Sequence, residues 1–148
     1  MLHTTGFGLR TATAPMTSAG GRINIVIVAC AISAGIHGAL VEQHFREGTG
    51  AGIGFVAATA LLFAVAFALT RKPSQTAFVA AAAISIGLIA AYGLAITTGV
   101  PMLHPDVEAV DGLALFTKVV EGIGAVAAAS LVRRPAFTPL TPPKGPWT

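Results

Sequence analysis

Three histidines and one glutamate, His37, His44, His104 and Glu121, carry most of the chemistry open to this 148-residue chain. Neutral imidazole and carboxylate are ligands for zinc, copper and iron, so the cofactor this set implies is a transition metal (Cu, Zn or Fe). Glu108 and Asp111 follow His104 closely. Their negative charge would draw a cation toward the same mouth. His37 and His44 lie seven residues apart, which on a helix puts them on one face about 10 Å apart along the axis. That is too far for one helix to hold one ion with both, so His44 reads as an upper position and His37 as a lower one. Each residue also has a plain structural reading. Glu121 can form an ion pair with Lys118, three residues back. His37 can bridge helices by a hydrogen bond, His44 can sit among the interfacial Glu42, Arg46 and Glu47, and His104 beside Pro105 can be loop surface.

Other chemistries are missing. The run Gly48-Thr49-Gly50-Ala51-Gly52-Ile53-Gly54 has no lysine and follows no strand, so it is not a phosphate cradle. There is no Gly-x-Ser-x-Gly nucleophile turn. Ser33 and Ser85 are expected deeper than the acids, so no serine, histidine and carboxylate should share one depth. Haem within one chain is not expected, because no second buried histidine is available to pair with His37. The single cysteine, Cys30, excludes an internal disulfide and a cysteine zinc cluster.

The elements that must position these residues follow from composition. Apolar residues make up 54% of the chain and charged residues 10%, against about 25% charged in a typical soluble domain. Such a chain cannot cover a water-facing surface, and its partner is the lipid bilayer. Nucleic acid is excluded, because the nine Lys/Arg are spread thinly. Four apolar stretches, about 23–45, 51–70, 76–99 and 112–132, are each long enough to cross about 30 Å of hydrocarbon as a helix. None alternates with period two, and all are rich in Ala and Leu. The fold class is therefore all-α, an integral membrane four-helix bundle spanning 23–132. A 1–22 N-terminal arm precedes it and a 133–148 Pro-rich tail follows it. The arm has no apolar core of signal-peptide length, so no cleavage is expected. Asp111 is placed to cap the fourth helix.

Seven of the nine basic residues (Arg10, Arg22, Arg71, Lys72, Arg133, Arg134, Lys144) fall on one side of the four spans. The positive-inside rule puts that side, with both termini, in the cytoplasm. The expected location is thus the inner (cytoplasmic) membrane, multi-pass, N-in/C-in. All six carboxylates lie in the outer half. Small residues at four-residue spacing (Ala31, Gly35, Ala39; Ala83, Gly87, Ala91, Ala95; Gly124, Ala128) are expected to mark close helix packing. The bulky second span, with Leu61, Leu62, Phe63 and Phe67, is expected to face lipid most. Tyr92 is expected to hydrogen-bond between helices, and Cys30 to pack as a small apolar residue.

The run Gly35-Ile36-His37, then Glu42 and His44, the Gly/Phe-rich opening of the second span, Gly99-Val100-Pro101, and the acids Glu108, Asp111 and Glu121 together resemble a group of small four-helix membrane proteins of bacteria, actinobacteria among them, that are mostly uncharacterised. The resemblance covers about residues 33–134. It implies that His37, His44, Glu108, Asp111 and Glu121 form a shared polar signature, and it carries no biochemical activity. Met102 stands where the group usually has glycine.

The functional expectation is a non-enzymatic membrane protein with an outward-facing His/carboxylate site for a transition metal. The alternatives are an accessory subunit of a larger respiratory or transport complex, and a small proton-coupled transporter that works as an oligomer with Glu121 as its coupling carboxylate. The protein partners expected are the subunits of such a complex or further copies in a homo-oligomer.

Overall fold

A computed structural model describes residues 18–100 and 107–132. The N-terminal 1–17, the 101–106 segment (with Met102, His104, Pro105 and Asp106) and the tail from 133 lie outside the described residues. Four helices run in order: α1 (Ser18–Glu47), α2 (Thr49–Arg71), α3 (Gln75–Thr97) and α4 (Gly112–Leu131). Each is long and apolar enough to cross a membrane. α1 starts at Ser18, inside the stretch assigned above to the arm, and carries Gly20 and Gly21 as helix. At about 1.5 Å per residue its 30 residues reach about 45 Å, more than the roughly 30 Å that a hydrocarbon layer needs.

Short connections make neighbouring helices antiparallel. Gly48 alone joins α1 to α2. Ser74 caps α3 by accepting from the Ala77 N–H at 3.2 Å, and Asp111 caps α4 by accepting from the Ala114 N–H at 2.8 Å. After α3 the backbone turns at Gly99, whose φ of 69° is left-handed. The Glu108 N–H then donates to the Ala95 carbonyl at 3.0 Å and draws the connection back over the end of α3.

α1 packs on α2 and α4, α3 packs on α4, and α2 touches α3 less than it touches α1. The α1–α4 seam has a regular antiparallel register. Arg22 donates to Ser130 Oγ at 3.3 Å, Ala29 faces Gly124, and Ser33 meets Glu121. With Gln75 donating to the Leu131 carbonyl at 3.2 Å, these contacts gather the start of α1, the α2–α3 turn and the end of α4 at one end of the bundle. The apolar core fills that half, with Val26, Cys30, Leu62, Leu69, Phe78 and Ala128 among its members. Large apolar side chains such as Phe63, Val79 and Val126 point outward, as a lipid-facing surface requires.

Two packing expectations are corrected. The stripe Ala31, Gly35, Ala39 is exposed, as are Ala83, Gly87 and Ala91. A Cβ added at Gly35 or Gly87 would meet nothing. Ala95, the last of the α3 stripe, is buried, and among the described residues the α4 stripe is buried at Gly124 and Ala128, where Gly124 faces Ala29 of α1. The span least buried is α3, not α2, because α2 lies along α1 for much of its length whereas α3 is held mainly by α4.

A Cβ at Gly124 would stand 2.9 Å from the Ala29 Cβ, whereas one at Gly122 would meet nothing. Gly124→Val should therefore destabilise the bundle by about 1–3 kcal/mol, and Gly122→Val should not. Denaturation of both variants in micelles, followed by circular dichroism, checks this. Equal loss would show that valine's effect on the helix, and not the α1–α4 seam, sets the cost.

Candidate functional site

Mid-way along the bundle, polar groups from α1 and α4 converge. Glu121 is 1% exposed and Ser33 is fully buried. Ser33 Oγ donates to Glu121 Oε1 at 2.7 Å, and Lys118 Nζ donates to Glu121 Oε2 at 2.6 Å. Each carboxylate oxygen thus has its own donor. Lys118 also approaches the Leu88 carbonyl of α3 at 3.5 Å and lies 5.7 Å over the Tyr92 ring. A lone charge here would be costly, and a neutralising partner with matching hydrogen bonds is what makes a buried carboxylate tolerable.

His37 joins this cluster. Its Nδ1 lies 2.9 Å from the Ser33 carbonyl, one turn earlier on α1. A carbonyl only accepts, so Nδ1 carries the proton and donates. The free side of the ring, Nε2, faces Glu121 Oε1 at 3.9 Å. The sequence had Ser33 too deep to share a level with the acids. That expectation is corrected, because the antiparallel register that sets Arg22 beside Ser130 and Ala29 beside Gly124 brings Ser33 level with Glu121. The arrangement is still not that of an activated nucleophile. Ser33 donates its hydrogen bond to a carboxylate that Lys118 already pairs, and the His37 nitrogen nearest to Ser33 is the protonated one, so no imidazole base stands on the serine.

His44 repeats the His37 geometry two turns on. Its Nδ1 donates to the Leu40 carbonyl at 2.9 Å, which fixes the tautomer and turns Nε2 outward. That nitrogen stands 3.6 Å from Glu108 Oε1 and 3.7 Å from Glu47 Oε2. One ligand atom from each of His44, Glu47 and Glu108 lies within 4.8 Å of the others. The ring itself is 6% exposed while both carboxylates are partly open. Phe55 of α2 holds both histidines in place. It stacks on His44 with centroids 3.5 Å apart and lies tilted against His37 at 5.1 Å. Gly52, one turn earlier, leaves room for the Phe45 ring, which a Cβ there would penetrate.

The two histidines therefore belong to different clusters, His37 with Glu121 and His44 with Glu47 and Glu108. His104 lies outside the described residues. Asp111 spends a carboxylate oxygen on its cap and lines the same cavity as Glu108. The cavity measures about 430 Å³ and is walled by all four helices, from Glu108 and His44 at the mouth to His37 and Lys118 at the floor. Tyr92 also lines it, but its buried hydroxyl has no hydrogen-bond partner among the described residues, contrary to the bridging role expected. Cys30 sits in the apolar core at 2% exposure.

The sequence reading singled out His37, His44 and Glu121 by type and depth. It passed over Ser33 as a partner, Glu47 as a possible ligand, and Phe55 and Tyr92 as walls. The four-residue step from Ser33 to His37 and the three-residue step from His44 to Glu47 were the available signals, since such pairs share a helix face. Comparison with protein-family models, curated proteins and solved structures finds no match.

Lys118→Met leaves Glu121 buried with one oxygen unpaired and should cost about 3–5 kcal/mol. Adding Glu121→Leu should recover most of that loss. Denaturation of the two single variants and the double variant in micelles measures the coupling. Additive losses would mean that the pair contributes nothing beyond its separate side chains.

Proposed function

We propose that the chain is a multi-pass protein of a bacterial inner membrane, with both termini cytoplasmic, that binds a divalent transition metal at the outer mouth of its bundle. The ligands are His44 Nε2, Glu47 and Glu108. The observation that carries this reading is the pair of 3.6 Å and 3.7 Å separations between one unprotonated nitrogen and two carboxylate oxygens. Ligands at 2.0–2.2 Å from a tetrahedral ion stand about 3.4 Å apart, so both nitrogen-to-oxygen separations are near those around a bound ion, and the carboxylate oxygens, within 4.8 Å of each other, would close around it. The Nδ1–H bond to Leu40 supports the reading as well, because metal-bound histidines commonly anchor their other nitrogen to a carbonyl or carboxylate. The nitrogen and oxygen donors suit zinc, iron or copper(II) better than a metal that prefers sulfur. His37 and Glu121 act in this reading as the support below the site. Glu121 is already satisfied by Lys118 and Ser33, which weighs against its use as a free coupling carboxylate.

A second reading, an accessory subunit or homo-oligomer, draws on the exposed stripe Ala31, Gly35, Ala39. Small residues facing lipid permit close approach of another helix.

Purified protein in micelles should take up about one Zn²⁺ per chain by elemental analysis, and His44→Ala should lose it. His37→Ala should retain it if folded. Loss in His37→Ala with retention in His44→Ala would move the site to the lower cluster. A reporter fused after Thr148 should read cytoplasmic and one inserted after Pro105 external, and the reverse would turn the mouth inward.

A further inference from the structure

The cavity has features that a cation at its mouth does not use. Its volume of about 430 Å³ falls in the range of small-molecule sites. Its walls are largely apolar or small, because Gly54 and Ala58 of α2 face the cavity opposite Ala91 and Ala95 of α3. A Cβ at Gly54 would meet nothing. These two helices touch least of the neighbouring pairs, and their seam is filled only toward the α2–α3 turn, by Leu62, Val65, Ala77 and Phe78. Beyond that level the helices part. Phe55 and Tyr92 place two aromatic rings in the walls.

The polar groups select the occupant. Tyr92 carries a buried hydroxyl without a partner among the described residues. The Lys118 ammonium has three protons and makes one short bond, to Glu121, and one long contact, to Leu88. Both residues therefore offer donors to a ligand that accepts. An anion is disfavoured, because Glu108 and Asp111 line the cavity and Lys118 is already paired with Glu121. An organic cation is disfavoured deeper in, where it would face the Lys118 ammonium. What remains is a neutral molecule with an apolar, flat body and acceptor oxygens.

We propose that this cavity binds an uncharged, planar, lipid-soluble carbonyl compound, of the quinone class. Its ring lies among Phe55, Ala91 and Tyr92, and its carbonyl oxygens accept from the Tyr92 hydroxyl and the Lys118 ammonium. This site is separate from the cation site, since it uses neither His44 Nε2 nor the mouth carboxylates.

The probe is menadione, titrated calorimetrically into full-length protein in phosphatidylcholine nanodiscs containing EDTA, with empty nanodiscs as reference. Saturable binding of about one molecule per chain is expected. Tyr92→Phe should weaken it about two- to tenfold, the range of one neutral hydrogen bond. Ala91→Phe, which fills the cavity from α3, should abolish it with helix content unchanged. Gly54→Leu fills it from α2 and serves the same purpose if Ala91→Phe does not fold. Heats equal to those of empty nanodiscs overturn the proposal. So does unchanged affinity in the folded cavity-filling variant. Tighter saturable binding of decanoate or dodecylammonium than of menadione overturns the choice of a neutral carbonyl ligand.

Discussion

The burial of Glu121 is the constraint on which the rest of this structure depends. A carboxylate in the middle of an apolar bundle has to find a counter-charge and hydrogen-bond donors, or it does not stay there. Lys118 and Ser33 meet that need, one on each oxygen. Meeting it sets the rotation of α4 and its register against α1. With Ser33 held to Glu121, Ala29 must pass Gly124, and Arg22 comes beside Ser130. An apolar seam has no such strict preference, because hydrocarbon packs about equally well against lipid and against another helix. One buried polar contact therefore aligns a seam that the rest of the composition leaves free.

That alignment divides the bundle into two unlike halves. On the side of the α2–α3 turn, Leu62, Leu69, Phe78 and their neighbours fill the centre. On the other side, small residues of α2 and α3 face one another without larger side chains between them, and the cavity runs down to the polar cluster. The cluster is at once the roof of the packed core and the floor of the cavity. Its own groups are mostly spent on one another, so the reactive capacity of the site lies nearer the mouth, at His44.

His37 and His44 show how one local device serves two settings. Each ring donates Nδ1–H to the carbonyl one turn earlier and presents Nε2 to a carboxylate from the α4 side of the chain. The difference lies in what surrounds the carboxylate. Glu121 is fully buried and already neutralised, whereas Glu108 and Glu47 are partly open and face one nitrogen together. An incoming cation finds two partly open carboxylates beside His44, and beside His37 one that Lys118 already neutralises. Phe55, in contact with both rings, ties the two levels to α2.

The sequence by itself determined the number of helices and their approximate ends, since hydrocarbon thickness and backbone hydrogen bonding leave an apolar chain of this length few alternatives. It also marked His37, His44 and Glu121, because polar groups within apolar runs stand out one residue at a time. Tertiary structure decided who meets whom. Whether Ser33 touches Glu121, and whether Glu108 or Glu121 faces His44, depends on helix rotation and side-chain reach, which no single helix encodes. The small-residue stripes show the same limit. Spacing says that Ala31, Gly35 and Ala39 share a face with room for a close neighbour, but the partner is chosen by the best packed surface. Gly124 and Ala128 took that place, and the α1 stripe was left facing outward. The Tyr92 hydroxyl and the cavity beside it were likewise decided by assembly, because a space between helices is a property of all its walls and of no one segment.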